Sequence, residues 1–80
     1  MLPKQKIVRF GPYYKLSIVE EQNVKGKFEL AVFYKENMVS MPGITDPDDT
    51  VTRFKTASDV QMIMKKMYSI TREVPENEPQ

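Results

Sequence analysis

YYKLSIVEEQNVKGKFELAVFYK, residues 13–35, decides the fold. From Tyr13 to Glu20 the side chains alternate: Tyr14, Leu16 and Ile18 point one way, and Tyr13, Lys15, Ser17 and Val19 the other. Lys27 to Lys35 resumes the period, with Phe28, Leu30, Val32 and Tyr34 on one face, opposite Glu29, Ala31, Phe33 and Lys35. Period two belongs to a strand with one face buried. The polar stretch 21–26 ends in Gly and is too short for a crossover, so the two segments form an antiparallel hairpin.

Outward from the hairpin, Ile7-Val8-Arg9-Phe10 reads as a first strand, ended by Gly11-Pro12 because proline has no amide to donate. Glu36-Asn37 reads as the next turn, Met38 to Met41 as a short third partner, and Thr50 to Phe54 as the last strand, after a loop at 44–49. Thr56-Ala57-Ser58-Asp59 has the form of a capping box, with Ser58 as a rival cap. Beyond it Val60, Ile63, Met64, Met67 and Ile70 recur at helical spacing. These elements predict an α+β fold, an antiparallel β-meander of four or five short strands with one C-terminal amphipathic helix packed on one sheet face. Residues 1–71 are expected to form a single domain. Residues 72–80, acidic and carrying Pro75 and Pro79, read as a flexible tail.

Eighty residues suffice for one domain with a thin core. The chain has no cysteine, so disulfides and thiolate chemistry are excluded. Its longest unbroken apolar run, Leu30 to Tyr34, is far below the roughly 20 residues that span a bilayer. The basic residues 1–6 lead into no apolar signal segment. A cytoplasmic location without membrane contact is expected. The net charge of +1 conceals an asymmetry. Residues 1–35 carry seven basic and three acidic groups, net +4, and residues 36–80 carry five and eight, net −3. Such a division gives either a dipolar surface or, if the halves pack together, intermixed charge.

Histidine is also absent, which removes the commonest general base near neutral pH and the imidazole ligands of zinc sites. Ser17, Ser40, Ser58 and Ser69 have no base beside them in sequence, and Gly26-Lys27 lacks the phosphate-loop spacing. Asp46, Asp48 and Asp49 form a small acidic cluster, but without the spacing, central Gly or closing Glu of a calcium loop. The expectation is therefore a protein that is not an enzyme, with no cofactor and no metal.

Function then rests on surfaces. With one sheet face under the helix, the other presents Tyr13, Lys15, Phe33 and Lys35, and Met62 falls on the polar side of the helix. Aromatics among lysines suit a protein partner or a homodimer. They also suit single-stranded nucleic acid, with bases stacked on the rings and the basic N-terminal arm on phosphates. The first is preferred, because net charge near zero disfavours nucleic acid. These five residues are the expected partner-binding set. The function expected is a small accessory or inhibitory protein of phage or bacterial type, acting by binding another protein. The alternative is a single-stranded nucleic-acid binder.

Overall fold

In the computed structural model, which describes residues 5–78, the two alternating segments lie side by side as β2 (Tyr14–Glu20) and β3 (Phe28–Tyr34), antiparallel, with Leu16 opposite Val32 and Ile18 opposite Leu30. β1 (Gln5–Phe10) pairs antiparallel with β2, setting Val8 opposite Leu16. The expected alternation holds in β2 and β3, and β1 follows the same period. Val8, Phe10, Leu16, Ile18, Leu30 and Val32 are buried on one face, against Ile63 and Met67 of α1 (Ala57–Thr71). The protein is an antiparallel sheet with one C-terminal helix packed against it, an α+β fold.

The free edge of β3 is shared by two strands placed end to end. β4 (Asn37–Val39) pairs with Val32–Tyr34, and β5 (Val51–Lys55) with Phe28–Ala31, both antiparallel. Val39 faces Val32 while Val51 faces the adjacent Ala31, so residues 40–50 form an excursion out of one nearly continuous strand path. The excursion is tied at its base by the Met41 amide donating to Thr45 Oγ1 at 2.8 Å and the Thr52 hydroxyl to Asp46 Oδ1 at 2.8 Å. It returns Ile44 to the core at 4% exposure. Sequence reasoning left Ile44 in a loop, because a single apolar residue between turn formers has no period to reveal it.

The turn before β4 also differs from the expected Glu36-Asn37. It is a two-residue loop, Lys35-Glu36, with φ of +49° and +70°, as a type I′ hairpin turn demands. Asn37 instead opens β4, and its side-chain amide donates to the Lys35 carbonyl. Lysine and glutamate carry no turn signal, so pairing with β3 decided the position.

Thr56, not Ser58, caps the helix. The Asp59 amide donates to Thr56 Oγ1 at 3.1 Å and the Thr56 amide to Asp59 Oδ2 at 2.9 Å. The Thr56 amide first, and then the Thr56 hydroxyl, which donates to the same Asp59 Oδ2 at 3.0 Å, hold the Asp59 carboxyl below the usual carboxylate range. Of the expected stripe, Ile63 and Met67 are buried and Val60 and Met64 half-buried, but Ile70 stands exposed. The helix ends at Thr71, with Arg72 left-handed as its cap (φ +60°), so Ile70 lies in its last turn.

A further difference lies beyond the helix. Within the stretch read as a tail from residue 72, Pro75–Asn77 form β6, antiparallel to β1, and the Glu78 amide donates to the Ile7 carbonyl. The sheet thus has six strands in the order β4-β3-β2-β1-β6, with β5 also on β3. Proline is tolerated in β6 because it lies at the sheet edge. Pro79 and Gln80, the end of that stretch, lie outside the described residues. Among the described residues, no helix is long and apolar enough to cross a membrane.

Candidate functional site

The face turned away from the helix is built from the other half of each alternation. Its central row runs across four strands: Ile7, Ser17, Ala31 and Val51 are successive cross-strand partners. A second row runs Arg9, Lys15, Phe33 and Met38, and a third begins Gln5, Val19, Glu29. Ser17 and Ala31, the smallest side chains, sit at the centre. They are only 6% and 9% exposed although no element of the described chain covers them, because the longer side chains around them close over. The Gln5 side-chain amide donates to Ser17 Oγ at 3.1 Å.

Arg9, Lys15, Glu29 and Arg53 of this face are ion-paired within the chain. Arg9 Nη1 lies 3.0 Å from Glu78 Oε1, and Lys15 Nζ lies 2.9 Å from Glu36 Oε1 and 3.5 Å from that same Glu78 oxygen. Arg53 Nη2 lies 3.3 Å from Glu29 Oε1. Each of these four pairs joins a residue of 1–35 to one of 36–80, so on this face the opposite net charges of the two halves are intermixed. The Glu36 hydrogen bond holds the Lys15 ammonium above its usual range, and the same bond holds the Glu36 carboxyl below its own.

The five residues singled out in the sequence fall into three places. Lys15 and Phe33 are direct cross-strand partners on the uncovered face. Tyr13 and Lys35 instead meet at the end of the sheet. The Tyr13 and Tyr34 ring centroids are 6.2 Å apart, the Tyr14 ring packs tilted against Tyr34 at 4.8 Å, and Lys35 Nζ lies 5.3 Å from the Tyr13 centroid and 5.5 Å from that of Tyr34. They leave the face because Tyr13 belongs to the Gly11–Tyr13 connection and Lys35 to the left-handed turn, where alternation no longer sets direction. Met62 is exposed on the helix, in the other layer. Lys4 of the basic arm lies outside the described residues.

Sequence reasoning missed Ile7, Met38, Val51 and Arg53 as members of the face. Ile7 was legible from the period of the first strand, whereas the other three needed the register of β4 and β5. It also missed Phe54, which is 58% exposed at φ +57° in a bulge of β5, where three steps from Thr52 to Lys55 oppose two from Leu30 to Phe28.

The remaining chemistry is spare. Asp46 accepts from Thr52, and Asp49 Oδ1 accepts from the amides of Thr50 and Val51, so both carboxylates fasten the 40–50 excursion. Among the described residues no three histidine, cysteine, aspartate or glutamate side chains gather where a metal ion could sit. A hollow of about 570 Å³ at the end of the sheet brings Lys6, Glu20 and Phe28 together with no serine, threonine or cysteine in its lining. Comparison with known proteins finds no matching family model, no matching curated protein and no matching solved structure.

Proposed function

We propose that this chain is a non-enzymatic protein-interaction module that docks through the uncovered face of its sheet. One observation carries the reading: a row of small and apolar side chains four strands wide, Ile7, Ser17, Ala31 and Val51, with Phe33 and Met38 beside it, is flanked by Arg9, Lys15, Glu29 and Arg53, each ion-paired within the chain. Apolar centres with polar rims are the usual anatomy of protein interfaces. A partner that dries this face strands no lone charge at those pairs, and an unpaired buried charge is what penalises such contacts most.

Single-stranded nucleic acid has less support. Such a site needs rings and free cations along one path. Here Tyr13 and Lys35 lie off the face that holds Phe33, and Lys15 and Arg9 are occupied by carboxylates. Labelled oligonucleotides at low salt check this directly, with no binding expected.

The test of the main reading uses the purified chain as bait in a lysate of its native host. Ala31→Arg places a charge at the centre of the face and Met62→Ala changes the helix side, with thermal melts confirming that both variants fold. Capture of the same protein by wild type and Met62→Ala, but not by Ala31→Arg, is the expected pattern. Undiminished capture by Ala31→Arg discards this face as the docking surface.

A further inference from the structure

We infer that the outer edge of β1 is a binding site for an extended segment of another protein, one that carries a carboxylate beside a large apolar side chain, and that β6 is the chain's own strap over this site. The edge is separate from the sheet face proposed above as the docking surface, and the two are tested independently.

The strap shows what the edge recognises. Pro75, Glu76 and Asn77 lie opposite Phe10, Arg9 and Val8, and the Glu78 amide carries the register on to the Ile7 carbonyl. Cross-strand partners share a face. Glu76 and Glu78 therefore lie on the side of Arg9 and Ile7, where Glu78 Oε1 is 3.0 Å from Arg9 Nη1 and 3.5 Å from Lys15 Nζ. Asn77 lies on the opposite side, with Val8. Main-chain bonds hold an added strand, and its alternate side chains give specificity. A segment that takes the place of β6 must bring its own carboxylate to Arg9, because a cation covered without one is penalised.

On its other side the strap leaves the site unfilled. Asn77 lines a hollow of about 570 Å³ together with Lys6, Ile18 and Phe28. Its short polar side chain is exposed there. A leucine or phenylalanine at that position would enter the hollow towards Ile18. Burying even part of such a side chain is worth about tenfold in affinity. The hollow is thus where a foreign segment gains over β6.

The strap is also easily lifted. No side chain of Pro75–Asn77 is buried. The strap is joined to the helix by residues 72–74, in which Arg72 takes φ +60° and Val74 is 75% exposed. Its ion pairs with Arg9 and Lys15 are partly exposed, and such pairs hold weakly. While β6 lies on the edge it competes with the partner, so affinity is reduced to the fraction of chains whose edge is open.

The test is an NMR titration of the full isotope-labelled chain with synthetic peptides of residues 73–78, up to about 5 mM. The bond from the Glu78 amide to the Ile7 carbonyl places Ile7 and Arg9 as the outward-facing residues of β1, so their amides are the reporters. Three peptides are compared, the unchanged sequence, Asn77→Phe and Glu78→Lys. Each is added to the wild-type chain and to the chain carrying Glu78→Lys, in which a lysine beside Arg9 and Lys15 lifts the strap. Thermal melts verify that this chain folds; if it does not, Glu78→Gln, which only deletes the ion pairs, makes the same comparison with a smaller ratio. The Asn77→Phe peptide should bind more tightly than the unchanged one, and should bind the Glu78→Lys chain about tenfold more tightly than the wild-type chain. The Glu78→Lys peptide should bind neither. Equal affinity for both chains overturns β6 as a strap over the site. No binding by any peptide, or no gain from Asn77→Phe, overturns the recognition. A peptide-free chain that sediments at twice 9.3 kDa, with straps exchanged between copies, overturns the assignment to another protein.

Discussion

Phe54 combines two features that a side chain rarely has together: a left-handed backbone and an exposed ring. A bulky residue there costs about 1–3 kcal/mol relative to relaxed backbone, and a mostly exposed ring returns little of it through burial. Phe54→Gly should therefore raise stability by about 1 kcal/mol in urea unfolding, after the extra entropy that glycine has in the unfolded chain. Phe54→Ala should bring no such gain, since alanine still carries a Cβ at positive φ. Gly11 shows the opposite choice. At φ +72° its missing Cβ leaves the space taken by the Glu73 side chain, so here glycine answers both the backbone and the packing. Lys15 and Glu36 give the residue scale a pH dependence. Glu36 titrates lower when folded, so its contribution is complete above the ordinary glutamate pKa and disappears as pH falls through the folded value. Lys15 titrates higher when folded, so its contribution is complete below the ordinary lysine pKa and disappears as pH rises through the folded value. Glu36→Gln should flatten part of the acid limb of a Tm-against-pH curve while leaving the mid-pH Tm nearly unchanged, because the pair is solvent-exposed.

At the scale of the element, the helix owes its start to Thr56 and its place to Ile63 and Met67. Thr56→Ala removes the acceptor of the Asp59 amide and should cost about 0.5–2 kcal/mol, whereas Ser58→Ala should stay within about 0.5 kcal/mol. Ile63→Ala should cost about 2–5 kcal/mol in thermal or urea unfolding, and a near-neutral result would remove Ile63 from the core. These features were legible beforehand because a capping box and a 3.6-residue stripe are local patterns. So was the hairpin 14–34, whose alternation names its own buried face. The β3–β4 turn was not legible, because Lys35-Glu36 is held at positive φ by the pairing of Tyr34 with Asn37 rather than by its own preference. Ile70 shows the limit of the helical stripe: periodicity names a side of the helix, but the length of the sheet beneath decides how far along that side burial extends.

At the scale of the molecule, the helix carries the chain from β5 at one side of the sheet to β1 at the other, its nearest strands, and there releases β6 to close the free edge of β1. Open edges invite pairing with other chains, and short or proline-bearing strands limit that risk. Removing residues 73–80 takes away β6 and the Glu78 carboxylate that serves both Arg9 and Lys15. The truncated chain should lose about 1–2 kcal/mol, since each lost backbone bond contributes about 0.5–1.5 kcal/mol, and should aggregate faster on heating, as read by light scattering. Amide exchange should quicken at the Ile7–Phe10 edge and not in β3.

Alternation and helical period, properties of neighbouring residues, determined by themselves which side of each long strand is buried and that one helix covers it. Proximity between distant residues decided the rest: Ile44 in the core, β6 on β1, Glu78 beside Arg9 and Lys15, and Tyr13 and Lys35 turned away from Phe33. The physical reason is that side-chain direction within a strand is set by the pleat every two residues, whereas the order of strands and the neighbours of a turn are set by whichever partner best fills the space, and no local pattern encodes that partner.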